Sequence, residues 1–391
     1  MTTAGENQQA SSPQAATWFT IAVVWTLRLL GAACLIGTLL PLLPSGEWFI
    51  RGWDFPRFQL AVVLLGLVFV SIFGLFKLPR RREYAIWLPL LIAACVWQAS
   101  HVIQFTRIWS TEVPSSRPDQ SSFSLLVVNL SYKNDAHEAV SAEIRKISPD
   151  VLILIEIDEH WNEALSGLKA DYEHRHEEIK GEGLGLALWS KLPLDGAETK
   201  YLVEDRRPSI WASISHEETE IQLVAVHPTP PGLDDSTGKS RRDSRTRDAE
   251  LVQIAKTIAE RASQAWIVAG DFNDVAWSHT TRLFKRLSGL KDPRIGRHYM
   301  GTFHAKYPLV RFPIDHVFLS DGLLISELTR HRITGSDHFG VIAGICVEAP
   351  SAGVTPEPEG DDRSEASEIV SEGKQQAAER GISSDDEPPS Q

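Results

Sequence analysis

A sheet sandwich covered by helices, carried behind three membrane-crossing helices, is the fold class this 391-residue sequence predicts. Three observations predict it. Residues 18–106 hold three long apolar stretches. Residues 123–349 alternate strand-like runs with helix-like runs. Polar and charged residues repeatedly close the apolar strands.

The apolar stretches run Trp18 to Leu43, Phe58 to Phe76 and Tyr84 to Phe105. Each is about long enough to cross a hydrocarbon core of roughly 30 Å as a helix. The second has no charge; the first contains Arg28, which must snorkel or face a neighbouring helix. A cleaved signal peptide does not fit, because the run starts late, has no basic leader and is followed by two more. Lys77, Arg80, Arg81 and Arg82 form the densest basic cluster, which favours a cytoplasmic loop there. With three spans, that puts the domain after residue 110 on the extracytoplasmic side of a multi-pass protein of the cell inner membrane. Residues 1–17 read as a disordered N-terminus and 107–122 as a Ser- and Pro-rich linker.

The strands of the following domain are 124-SLLVVNL, 151-VLILIEI, 184-LGLALWS, 210-IWASIS, 221-IQLVAVH, 266-WIVAGDF, 314-IDHVFL and 339-FGVIAGICV. Several are apolar throughout, as strands buried on both faces are. Helices are expected over about 135–147, 160–169, 243–263 and 279–287. Residues 350–391 hold 11 acidic and 3 basic side chains and no apolar period. They read as a disordered acidic tail. The net charge of -12 leaves the domain itself acidic, which argues against non-specific duplex binding. Of the three cysteines, Cys34 and Cys95 lie in apolar runs and Cys346 in a strand, so no disulfide framework or paired-cysteine zinc motif exists.

At the strand ends stand Asn129, Glu156, His227, Asp271 with Asn273, Asp315, and Asp337 with His338. Each alone has a plain reading as a turn or cap residue. Glu156 is the exception, because a carboxylate inside an apolar strand needs a partner. Together they converge on one rim of a sandwich. Carboxylates, amides and two imidazoles there suit a hard divalent cation and proton transfer.

In this order the motifs VVNL, LIEI, VAVHPTPP, AGDFND, IDHVF and GSDHFGV resemble the endonuclease/exonuclease/phosphatase superfamily over about residues 123–348. The HPTPP run is similar to its membrane-anchored bacterial branch. The resemblance implies a four-layer α/β sandwich, two packed mixed β-sheets flanked by helices, and dependence on Mg²⁺ or Mn²⁺. It implies Glu156 as main metal ligand with Asn129 and Asp337 near it. It implies His338, oriented by Asp315, at the scissile phosphate, and Asp271 orienting or deprotonating the attacking water. Asn273 and His227 would bind the phosphate as charge builds on it. The implied activity is hydrolysis of a phosphodiester or phosphomonoester, nuclease-like or phospholipase-like. Nucleic acid, a phospholipid head group and a small phosphoester all fit as substrate. The lipid bilayer is the other partner; no protein partner is implied. Ser131 stands where some nucleases of the family carry a second acid, so a second metal is not implied. Arg206, Arg207 and the basic run 239-KSRRDSRTR are either phosphate contacts or solvated charge. The alternative for the whole domain is a catalytically silent, membrane-tethered scaffold.

Overall fold

The computed structural model describes residues 13–43, 45–232, 243–348 and 355–384. It divides into two compact units. One is built from residues up to 44 and 56–102, the other from 45–55 and 103–391.

The first unit holds α1 (Pro13–Leu39), α3 (Arg57–Lys77) and α4 (Arg81–Val102). Three segments here are long and apolar enough to cross a membrane: Thr20–Leu42, Arg57–Lys77 and Arg81–Phe105. Helix α1 begins inside the stretch expected to be disordered; residues 1–12 lie outside the described residues. Polar side chains inside this apolar unit find one another, as they must where water is excluded. Arg28 of α1 pairs with Glu83 of α4. Buried Arg57 donates to Gln98 at 3.1 Å, and Gln98 donates to Thr38 at 3.0 Å.

The second unit begins with the short helix α2 (Trp48–Arg51) and then contains two mixed sheets. The first sheet has six strands in the order β10 (Leu323–Arg332), β11 (Phe339–Val347), β1 (Ser122–Asn129), β2 (Val151–Ile155), β4 (Leu186–Ser190), β3 (His174–Glu178). The second has five: β5 (Leu194–Lys200), β6 (Ser209–His216), β7 (Thr219–Val226), β8 (Ala265–Asp271), β9 (Asp315–Leu319). Pairs β1–β2 and β7–β8 are parallel and the others antiparallel.

Side-chain alternation explains the layers. Leu125, Val127 and Ile153 point one way from the six-stranded sheet and pack on Ile210, Leu223 and Ile267 of the other. Their neighbours Leu126, Val128 and Leu152 point outward onto Val140 and Ile144 of α5 (His137–Ile147) and Trp161 of α6 (Glu159–Ala164). On the far side, Val224 and Val268 pack on Leu251 and Ile254 of α7 (Arg245–Ala259) and Phe284 of α8 (His279–Ser288). The result is the four-layer sandwich. Helix starts follow local chemistry: Asp158 caps α6 at Trp161 N (2.9 Å), and Ser278 caps α8 at Thr281 N (3.0 Å).

All eight expected strands form. Three more, β3, β5 and β10, lie at sheet edges. Their sequences, HRHEE, LDGAETK and LLISELTRHR, are charged as edge strands tend to be, which hid them from a search for apolar runs.

Two expectations about the flanks are corrected. The 107–122 segment is packed: Val113 is fully buried, and Ser116 N and Pro114 O bond the backbone of Ile325 at 3.0 Å each. The acidic tail is not structureless. It carries α9 (Asp362–Glu379), whose Ala366, Gly373 and Ala377 are buried. A Cβ added at Gly373 would meet that of Ala249 at 2.2 Å, so small residues let α9 lie close on α7. Residues 350–354 and 385–391 lie outside the described residues.

Helix α7 also buries Glu250, near Glu204. Glu250 Oε1 and Glu204 Oε2 have no hydrogen-bond partner among the described residues. Burial first, and the Glu204 charge second, push the Glu250 carboxyl well above its ordinary value, against the pull of Arg207. A raised folded-state pKa means the folded chain holds the proton more tightly. Stability therefore falls as pH rises from the ordinary glutamate range towards the folded value. Glu250→Gln is expected to stabilise the protein by about 1–3 kcal/mol at pH 7.5 and to flatten this dependence. Chemical denaturation at pH 5.5 and 7.5 checks it; a destabilised variant at pH 7.5 contradicts it.

Candidate active site

The carboxyl ends of β1, β2, β7 and β8 and the start of β9 meet at one rim. Strand register does the placing. Asn129 is the last residue of β1 and pairs with Ile155, so Glu156 follows directly beside it. Asp271 ends β8 and lies opposite Asp315 of β9. Gly270 permits this approach: its φ is +153°, and a Cβ there would sit 2.0 Å from the Val226 carbonyl oxygen of β7.

Asn129 links the two sheets. Its Nδ2 donates to Glu156 Oε1 and to Asp271 Oδ2, both at 3.2 Å. Its Oδ1 accepts from Ser131 N at 3.0 Å. Glu156 adopts φ +64°, with its backbone N–H on Gly185 O and its Oε2 accepting from Tyr132 N at 3.0 Å. Such a left-handed glutamate is strained, and the surrounding bonds hold it. Unlike its neighbours, Glu156 is only half-buried, and so reachable from solvent.

The second half of the rim is buried. His338 Nδ1 bonds Asp315 at 2.9 Å, and its Nε2 faces Asp271 Oδ2 at 3.7 Å. Burial opposes a charged imidazole, but Asp315 and Asp271 together outweigh it and hold the His338 pKa at about 10. Asp271 is pushed up to about 7, first by burial and then by Asp315. His227 Nε2 lies 3.9 Å from Asp271 Oδ2. Burial, then the Arg207 and His338 charges, push His227 well down, so it is neutral. Arg207 Nη1 lies 3.0 Å from His227 Nδ1; a guanidinium only donates, so Nδ1 accepts and Nε2 carries the proton. Arg207 is thus at the site, behind the imidazole rather than in an open cleft.

Asn273, at φ +52°, is pinned on three sides. Its N–H donates to Asp271 Oδ1 (2.9 Å) and its Nδ2 to Pro228 O (3.0 Å). Its carbonyl accepts from Arg247 Nη1 at 2.7 Å. Seven of the eight expected residues are therefore tied into one set of short contacts. Asp337 is half-buried, and among the described residues no hydrogen bond joins its carboxylate to Asn129 or Glu156. Its charge faces His338 and His304.

Ser336 and Arg294 were not singled out in the sequence, and Arg247 entered only as part of the basic run. Ser336 Oγ donates to Asn129 O (2.8 Å) and accepts from His338 N (3.0 Å), tying the last strand to the first. Arg247, last residue of the basic run, is buried and pairs with Asp248 (2.7 Å) and Asp274 (3.4 Å). Arg294 does the same from the far side, bonding Asp292 and His316 Nδ1, while His316 Nε2 lies on Asp274 O. Within the basic run, residues 239–242 lie outside the described residues, and Arg245 pairs with Asp243 and Glu372.

Oxygen-rich donors suit a divalent cation. Asp271, Asp315 and His338 offer ligand atoms within 4.8 Å of one another. Asp315 and His338 are committed to each other, whereas Glu156 and Asp271 both turn carboxylate oxygens to Asn129. The buried like charges that raise Asp271 are what a cation would relieve.

The family profile described as Endonuclease/Exonuclease/phosphatase family matches residues 126–338, over half the chain. The chain belongs to that family. Members are metal-dependent hydrolases of phosphoester bonds. No curated protein sequence matches it. Among solved structures, the human nocturnin catalytic domain is similar at 16% identity and TM-score 0.46, covering 61% of this chain and 97% of that one. An endonuclease/exonuclease/phosphatase protein from Bacteroides vulgatus gives 17%, 0.45, 59% and 100%. Sphingomyelinase C from Streptomyces griseocarneus gives 18%, 0.41, 57% and 99%.

Arg247→Met is expected to leave Asp248 and Asp274 as uncompensated buried charges and to destabilise the domain by about 3–5 kcal/mol. Urea denaturation of the full chain checks it. Unchanged stability would show that Arg247 is not the counter-charge described.

Proposed function

We propose that the chain is a membrane-anchored phosphoesterase that uses one divalent cation, Mg²⁺ or Mn²⁺, and water attack at phosphorus. The observation that carries this reading is the buried Asp271, set among Asn129, His227, Asp315 and His338 at one rim. Bound beside Glu156 and Asn129, the cation would supply positive charge to the phosphate oxygens. Asp271, whose Oδ2 faces Asn129 Nδ2 and the His338 and His227 rings, accepts a proton from the attacking water. The imidazolium of His338, fixed by Asp315, presents Nε2–H to a phosphate or leaving oxygen. His227 presents its own Nε2–H because Arg207 occupies Nδ1, and Asn273 is held rigidly beside it. Asp337, lying near His338, tunes charge there rather than completing the Glu156–Asn129 pair.

The anchor consists of the three apolar helices, in a multi-pass arrangement in the cell inner membrane. Residues 45–55, between the first two spans, pack within the catalytic unit: Trp277 Nε1 donates to Asp54 O at 2.7 Å, and Ser244 N to Gly46 O at 2.8 Å. Three spans place that loop and the domain on one side, with the Lys77–Arg82 cluster on the other. The positive-inside rule makes the domain's side extracytoplasmic.

Because 45–55, 103–121 and α9 all pack on the domain, the test uses the full chain in nanodiscs. With Mg²⁺ or Mn²⁺ it is expected to hydrolyse bis-p-nitrophenyl phosphate and to lose all activity on chelation. Asp271→Ala and Glu156→Ala are each expected to lower turnover by about 10³-fold or more while the melting temperature stays within a few degrees. Folded variants with full activity would overturn the assignment.

A further inference from the structure

Thr302 to Phe312 form a short hairpin beside the site. Phe303 N donates to Phe312 O at 3.0 Å, and His304 N to Val310 O at 3.1 Å. Its base is fastened to the catalytic strand: Ala305 N donates to Asp337 O (2.6 Å), Phe339 N donates to Thr302 O (2.9 Å), and the Phe303 ring lies 4.9 Å from that of His338. Its tip is the reverse of what solvent favours. Lys306, Tyr307, Pro308, Leu309 and Val310 are consecutive and exposed, with Leu309 84% exposed and Tyr307 60%. The core does not need these side chains. A contiguous apolar tip beside a reaction centre marks a contact surface.

Two observations say what covers it. The hairpin base touches the loop that joins two apolar spans: the Phe55 ring packs edge-on against Phe312 at 5.5 Å, and α3 begins at Arg57. The residue it touches, Phe55, lies two positions along the chain before the apolar span that starts at Arg57. The composition also fits: a tyrosine with branched aliphatics, flanked by Lys306 and Arg311, is what an interface with anionic head groups accepts. An acidic domain with leucine and valine at its tip does not suit stacked bases.

We propose that the Phe303–Phe312 hairpin dips into the lipid surface and presents His338 and Asp271 to phosphoesters of phospholipid head groups. This rests on the hydrolase reading above. The apolar tip anchors in the acyl boundary, so the strand start at Asp337–His338 sits at head-group depth. A soluble phosphoester reaches the same site without needing the tip.

The test uses the full chain in vesicles of phosphatidylcholine and phosphatidylglycerol. In a chain carrying Cys34→Ala, Cys95→Ala and Cys346→Ala, Leu309→Cys is spin-labelled, with Gln375→Cys on α9 as an aqueous reference. The label at 309 is expected to collide with oxygen more than with a nickel chelate, and the reference to do the opposite. Equal chelate access at both sites overturns the proposal. So does protection of the 309 label only when a single-stranded oligonucleotide is added, which would assign the tip to nucleic acid. As a second readout, Leu309→Ser with Val310→Ser should lower hydrolysis of a fluorescent phosphatidylcholine in these vesicles about tenfold. Turnover of bis-p-nitrophenyl phosphate should be unchanged. Equal lipid hydrolysis by variant and parent counts against the hairpin. A parent that hydrolyses neither compound removes the hydrolase reading, while the label still decides where the tip lies.

Discussion

Two buried carboxylates, Asp271 and Asp315, face each other across paired strands, and much of the domain is arranged around that repulsion. In a low-dielectric rim such a pair is costly unless positive charge lies close. His338 answers one partner by becoming an imidazolium bound to Asp315. The other, Asp271, keeps a carboxyl high enough to exchange a proton near neutrality. The proposed cation at the Glu156 side would complete the balance. The strain at Glu156 and Asn273, both in the left-handed region, belongs to the same arrangement.

Behind the rim stands a second tier of buried arginines. Arg207 fixes the proton position on His227, Arg247 clamps the Asn273 carbonyl, and Arg294 holds His316 against the Asp274 carbonyl. Each has its own carboxylate or backbone partners, so each works as a brace rather than as a free phosphate ligand. The basic run before α7 thus contributes at least one structural charge to the site.

Much of this was legible in the sequence because the site lies at strand ends. Eight apolar runs gave the sandwich, and polar residues at the ends of six of them gave eight candidates, of which seven are tied together at the rim. Edge strands were not legible, since β3, β5 and β10 carry the charge that protects an edge. Helix α9 was not legible because it docks through Ala366, Gly373 and Ala377, small residues that leave no apolar stripe. Arg294 was hidden, and Arg247 was visible only within a run of undecided role, for another reason: nothing in a sequence separates a buried arginine from a solvated one until its carboxylates are located. Asp337 was put near Glu156 by the family resemblance alone; its charge acts on His338 and His304.

Residues 45–55 and 103–121, which lead into and out of the apolar unit, belong to the same compact unit as the two sheets. The central claim is that the rim holds a single divalent cation at the Glu156 carboxylate, which Asn129 Nδ2 orients. Mn²⁺ binding to the full chain, followed by electron paramagnetic resonance of the free ion, tests it most directly. One site per chain, lost in Glu156→Gln and competed by Mg²⁺, is the predicted result. Undiminished binding in a folded Glu156→Gln variant would contradict the account.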